Sequence, residues 1–120
     1  MKISMYSKFG EVSITVVDDW NVFFKLAKRR YDIDIPLDTQ KESSGIQCKD
    51  IIYIEDIKDM NTMGHELIHV IDYYIAKRGF LLDDTEVRAH LFSFFIDMYV
   101  NRIDKYLSHI AKFKQHKRKK

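Results

Sequence analysis

The run His65-Glu66-Leu67-Ile68-His69 carries the most specific chemistry in this sequence. Residues four apart on a helix stand one above the other on the same face, so His65 and His69 can aim imidazole nitrogens at one ion. Glu66 lies one step round the helix, close enough to reach a water on that ion yet too offset to join the histidines as a ligand. Zinc suits the pair, because it lowers the pKa of a bound water to about 7. A carboxylate beside that water can take its proton and return it to a leaving amine. The pattern therefore predicts Zn2+ as cofactor and Glu66 as general base. The bland alternative is an ordinary pair of helical histidines with no metal.

A catalytic zinc needs a third protein ligand and an open position. Asp72 is too far along a straight helix, about 10 Å from the level of His65, and suits a role orienting an imidazole. Glu86, seventeen residues after His69, is the better third ligand if residues 79–84 turn the next helix back antiparallel. Its competing role is a cap: Asp83-Asp84-Thr85-Glu86 reads as a helix start in which Glu86 reaches back to its own first residue. His90, one turn later and on the same side, is read as a partner behind the ligands. A substitute ligand or a packed core histidine are its alternatives.

The elements that would position these groups follow from periodicity. Residues 11–17 alternate at period two after Gly10 and predict a strand. Asp18 or Asp19 caps a helix over about residues 20–30, with Trp20, Phe23, Phe24 and Ala27 on its inner face. Pro36 takes the chain out of helical geometry, and residues 38–45 form a polar loop. Residues 45–48 and 50–54 read as a hairpin turning at Lys49-Asp50. The motif helix runs from a cap at Asn61 to about residue 78, with Gly79 as its stop. A last helix starts at Asp83, Asp84 or Thr85. It carries Val87, Leu91, Phe94 and Met98 as a buried stripe and continues through Ile103, Leu107 and Ile110, with or without a break at Asn101.

On these residues the chain resembles the gluzincin class of zincin metallopeptidases, in which an H-E-x-x-H helix precedes a helix supplying a glutamate ligand. The run from His65 to Tyr73 is similar to the active-site helix of thermolysin-type enzymes. The small size, the preceding hairpin and the sequence Glu86-Val87-Arg88-Ala89-His90-Leu91 resemble the very small metallopeptidase-like proteins of bacteriophages and prophages. There is a looser similarity to the metallopeptidase domain of phage-repressor-cleaving proteins. The resemblance spans about residues 45–100 and implies His65, His69 and Glu86 as ligands with Glu66 as base. It also implies that residues 51–54 form an edge strand above the motif helix, where Ile52, Tyr53 and Ile54 would take an extended peptide; the alternative is that the strand is simply core, and its Ile content fits either. The pattern departs from thermolysin in its shorter spacing to the third ligand, in having His90 where that family has a carboxylate, and in lacking a separate C-terminal domain.

Size and composition fit one α+β domain over residues 1–111 with a small antiparallel sheet; the resemblance implies a minimal zincin core in which the motif helix packs on a following ligand-bearing helix. The chain has 120 residues, 46% of them apolar and 13% aromatic, enough for one core and unlike a disordered chain. A single cysteine excludes a disulfide framework and suits the cytoplasm (the host's, if the protein is phage-encoded). No apolar run reaches the roughly 18–20 residues that span a bilayer, and the N-terminal residues lack the apolar core of a signal peptide. Charge is lopsided: residues 1–111 carry −4 and residues 112–120 carry +6. An acidic body with a basic end is not a basic nucleic-acid-binding domain. The end reads as a solvating, flexible tail or as a weak arm for an anionic partner. Two functions compete: a minimal zinc peptidase acting on peptide or protein, and a zinc-containing binding module that engages a host protein or nucleic acid without catalysis.

Overall fold

The sequence Lys-Ile-Ser-Met-Tyr-Ser opens the fold as a strand, β1 (Lys2–Ser7), whose residues alternate exposed and buried. It turns through a single 3-10 turn with Gly10 at φ 72° into β2 (Val12–Val17). The computed structural model describes residues 1–36, 38–39, 43–78 and 84–118. Asp19 caps α1 (Trp20–Tyr31) by accepting from the backbone N–H groups of Asn21 and Val22, and the helix ends at Asp32 in the left-handed region, φ 55°. The expected hairpin follows as β3 (Gly45–Cys48) and β4 (Ile51–Ile54), with Lys49 at φ 52° in its turn.

These strands make one sheet in the order β1-β2-β4-β3. The sheet is mixed, not antiparallel as expected: β2 pairs with β4 in parallel, Thr15 opposite Ile51 and Val17 opposite Tyr53. The chain between them, with α1, supplies the long crossover that parallel neighbours require. A second correction follows from that order. Strand β4 lies between β2 and β3, so Ile52, Tyr53 and Ile54 are not on an edge; all four β4 residues are buried. The free edge beside the motif helix belongs to β3.

Helix α2 (Met60–Arg78) carries the motif, and α3 (Asp84–Arg118) returns along it. The cap of α2 is Asp59, not Asn61: its carboxylate accepts from the Thr62 N–H at 3.1 Å and from the Thr62 hydroxyl at 2.5 Å. The expected stop at Gly79 and the expected start at Asp83 lie outside the described residues. No break occurs at Asn101. The α3 stripe also differs from expectation. Val87, Leu91, Phe95, Tyr99 and Ile103 are buried, while Phe94 is 38% exposed. Each step of four advances about 40° round the helix, so the buried stripe winds round α3 as it runs along the body, and Phe94, some 100° short of Phe95, falls outside it. Among the described residues, α3 runs unbroken through residue 118 and so takes in residues 112–118 of the basic stretch.

Two cores flank the sheet. On one face Ile3, Met5, Ile14, Ile52 and Ile54 pack on Leu67, Val70 and Ile71 of α2 and on Leu91, Phe95 and Tyr99 of α3. On the other, Val17, Ile51 and Tyr53 pack on Trp20, Phe23, Leu26 and Ala27 of α1. Buried hydroxyls anchor the first core: Tyr74 donates to the Ser13 carbonyl at 2.8 Å and Tyr99 to the Ile57 carbonyl at 2.7 Å. Among the described residues no helix is long and apolar enough to cross a membrane.

Candidate metal centre

Helix α2 divides its residues by angle. Met63, Leu67, Val70 and Tyr74 face the sheet and are buried. His65 and His69 stand on the opposite, exposed face with their Nε2 atoms 3.2 Å apart and their rings steeply inclined, 79° between planes. That separation matters. Two nitrogens held about 2.0–2.1 Å from one tetrahedral ion lie about 3.3 Å apart. The pair already has the span of two ligands to a shared ion; as free side chains, the same contact is an imidazole–imidazole hydrogen bond.

Glu66 differs sharply from its neighbours. It is 7% exposed, and its Oε1 lies 4.0 Å from His65 Nε2. Burial pushes its carboxyl above the usual carboxylate range, and the two nearby histidines pull partly the other way. A carboxylate so placed is a better proton acceptor than one in water.

Burial of Glu66 comes from β3. Its first residue, Gly45, crosses so near α2 that a β-carbon there would lie 2.5 Å from Thr62 Cγ2 and 3.3 Å from Glu66 Cγ. Thr62 cannot swing its side chain aside without giving up its hydroxyl's bond to Asp59. Glycine is therefore required at this crossing for its lack of a side chain. A groove of about 470 Å³ runs along the crossing, lined by Ser43, Ser44, Gly45, Asn61, Thr62, His65 and Glu66. Sequence reasoning did not assign Ser43, Ser44, Gly45 or Thr62 to the site. The available signal was a glycine placed where a strand begins, shortly before the motif.

The other expected site residues are not gathered here. Arg88 faces α2, its Nε 2.7 Å from Asp72 Oδ1. Residues two apart on a helix lie on nearly opposite faces. Glu86 and His90, two before and two after Arg88, therefore face away from α2. His90 meets Phe9 at the β1–β2 turn in a tilted contact, ring centroids 4.6 Å apart, and Glu86 is exposed one turn before it. Asp72 is committed to Arg88 and ties α2 to α3. Among the described residues no group of three His, Cys, Asp or Glu is placed to hold a metal ion. Ile52, Tyr53 and Ile54 lie under the site as core, and the outward strand is β3. No protein-family model, curated protein or solved structure matches this chain.

Proposed function

We propose that the protein is a zinc-dependent peptide hydrolase of the cytoplasm, with His65 and His69 as two of its metal ligands and Glu66 as general base; among the described residues no third ligand stands beside the pair. The observation that carries this reading is the His pair set at ligand spacing on an open face with a buried carboxylate beside it. When bound, zinc would supply Lewis-acid activation of a water and of the scissile carbonyl. Glu66, held out of bulk solvent by Gly45 and Thr62, accepts the proton of the attacking water and delivers it to the departing amine nitrogen.

The edge of β3 offers a way to hold a peptide. Glu55 N–H bonds the Ser44 carbonyl, and in an antiparallel pair such bonded positions alternate. With Ile46 opposite Tyr53 and Cys48 opposite Ile51, these two also bond inward to β4. The N–H and C=O groups of Gly45 and Gln47 then point outward, and an extended substrate adding to the edge would bond there, its main chain alongside His65 and Glu66.

Metal analysis tests the ligand assignment. The parent protein should hold about one zinc per chain, while His65→Ala and His69→Ala each lose it. Full zinc content in the double variant would refute the reading. Zinc in the parent with no hydrolysis of unfolded protein would favour the binding module instead.

A further inference from the structure

Helix α1 covers only part of its face of the sheet. It packs on Val17, Ile51 and Tyr53 of β2 and β4, and no β1 residue belongs to that core. Residues directly opposite in an antiparallel pair share a face. Ser4 stands opposite Thr15 and Tyr6 opposite Ser13. These four therefore form one patch, turned away from the face on which Ile3, Met5, Val12 and Ile14 are buried. Thr15 is buried within the patch, Ser4 and Ser13 are exposed, and Tyr6 is 52% exposed.

Two charged side chains close the patch into a pocket. Arg30, in the last turn of α1, donates from Nη1 to the Thr15 hydroxyl at 3.1 Å. Asp50 immediately precedes β4; its carbonyl accepts from the Thr15 N–H at 3.0 Å, and its carboxylate Oδ1 accepts from the Tyr31 hydroxyl. Arg30 Nη1 lies 4.0 Å from the same Oδ1, and the two side chains are 30% and 16% exposed. Among the described residues, Asp50 Oδ2 and the remaining N–H groups of Arg30 have no hydrogen-bond partner. The Tyr74 hydroxyl donates to the Ser13 carbonyl and accepts from the Ser13 N–H, which pins the strand beneath. The pocket encloses about 380 Å³, within the range of small-molecule sites.

We propose that this pocket binds a neutral sugar ring. Arg30 alone would suit a phosphate, but the Asp50 carboxylate beside it repels an anion, and the pair sums to zero. What the pair leaves free is one acceptor and several donors. Two neighbouring hydroxyls of a sugar satisfy both, one donating to Asp50 Oδ2 while the other accepts from Arg30. Ser4 and Ser13 add hydroxyls that donate or accept, and the exposed Tyr6 ring offers an apolar plate for the C–H face of the sugar. An apolar side chain or lipid tail in the same space would leave these polar groups unpaired. A glycoside and the ribose of a nucleoside share this chemistry. The pocket lies across the sheet from α2, so it does not depend on the proposed hydrolysis.

Amide chemical-shift titration of the full chain tests it. One arm uses the methyl glycosides of glucose, galactose and mannose; the other uses adenosine, uridine and AMP. At least one neutral probe should bind with about millimolar affinity, ordinary for so small a ligand, and shift the amides of Ser4, Tyr6, Ser13, Thr15 and Asp50. If only the nucleosides bind, adenosine and uridine should do so alike, the ribose being their shared part. Tyr6→Ala and Asp50→Asn should each weaken binding about tenfold or more, the second because an amide puts a donor where Oδ2 accepts. Both variants should keep the parent's circular dichroism, and Glu66→Gln should bind as the parent does. No shift at these amides with any neutral probe overturns the proposal, as does binding indifferent to both variants. A nucleoside arm that distinguishes the two bases, or AMP binding more tightly than adenosine, overturns it in favour of base or phosphate recognition.

Discussion

Glu66 carries a conflict between stability and chemistry. Its site raises the carboxyl's affinity for a proton, so the folded state binds that proton more tightly than the unfolded chain does. The sign follows directly. Stability from this group is complete below the unfolded carboxylate value of about 4.3 and is lost as pH rises through the higher folded value. Glutamine imitates the neutral acid. Metal-free Glu66→Gln should therefore melt above the parent at pH 7, with the difference closing as pH falls toward 4. Thermal melts across that range check it; a variant less stable than the parent at pH 7 would mean that the carboxylate is stabilised by contacts not considered.

Strand β3 shows how one position fixes a site. Gly45→Ala puts a methyl group against Thr62 Cγ2, which is held by Asp59, and overpacking of this kind costs about 1–3 kcal/mol. Denaturant unfolding should report that loss, and on the proposed assignment a zinc titration should show weaker binding, because β3 must back away from Glu66. An unchanged midpoint would show that the crossing has slack. The first turn of α3 poses the complementary question. The described geometry turns Glu86 away from the His pair, so Glu86→Gln should hold zinc within about twofold of the parent, a small effect on the scale where 1.4 kcal/mol is tenfold. A large loss would show that this turn rotates when metal binds and that Glu86 is the third ligand after all.

Much of this element structure was legible in the sequence. The β3–β4 hairpin, α1 and the motif helix announce themselves by period, cap residues and turn chemistry. Strand β4 was legible too, but its meaning was not. Ile51-Ile52-Tyr53-Ile54 is apolar without alternation, the signature of a strand covered on both faces, and the resemblance to zincins suggested an edge instead. Strand β1 escaped because its alternation is carried by Ile3, Met5 and Ser7, with a serine as its third buried residue. The side of α3 that faces α2 could not be read from Glu86 and His90 alone, since their stripe and the one through Arg88 both include polar residues; the Asp72–Arg88 pair decides it.

At the scale of the molecule, a sheet only four strands wide is covered on both faces, leaving little chain for a cleft. Among the described residues, the groove beside Gly45 lies directly against His65 and Glu66, and on the proposed reading such a shallow site favours extended or unfolded segments over folded substrates. That arrangement makes the base, not the ligands, the point on which the functional reading turns. The direct measurement compares hydrolysis of an unfolded protein by the zinc-loaded parent and by zinc-loaded Glu66→Gln, with metal content determined for both. Both should hold about one zinc per chain, and the variant should cleave about 10²–10⁴-fold more slowly, the usual contribution of a positioned base. Equal rates, or a parent that binds zinc and never cleaves, would contradict the account.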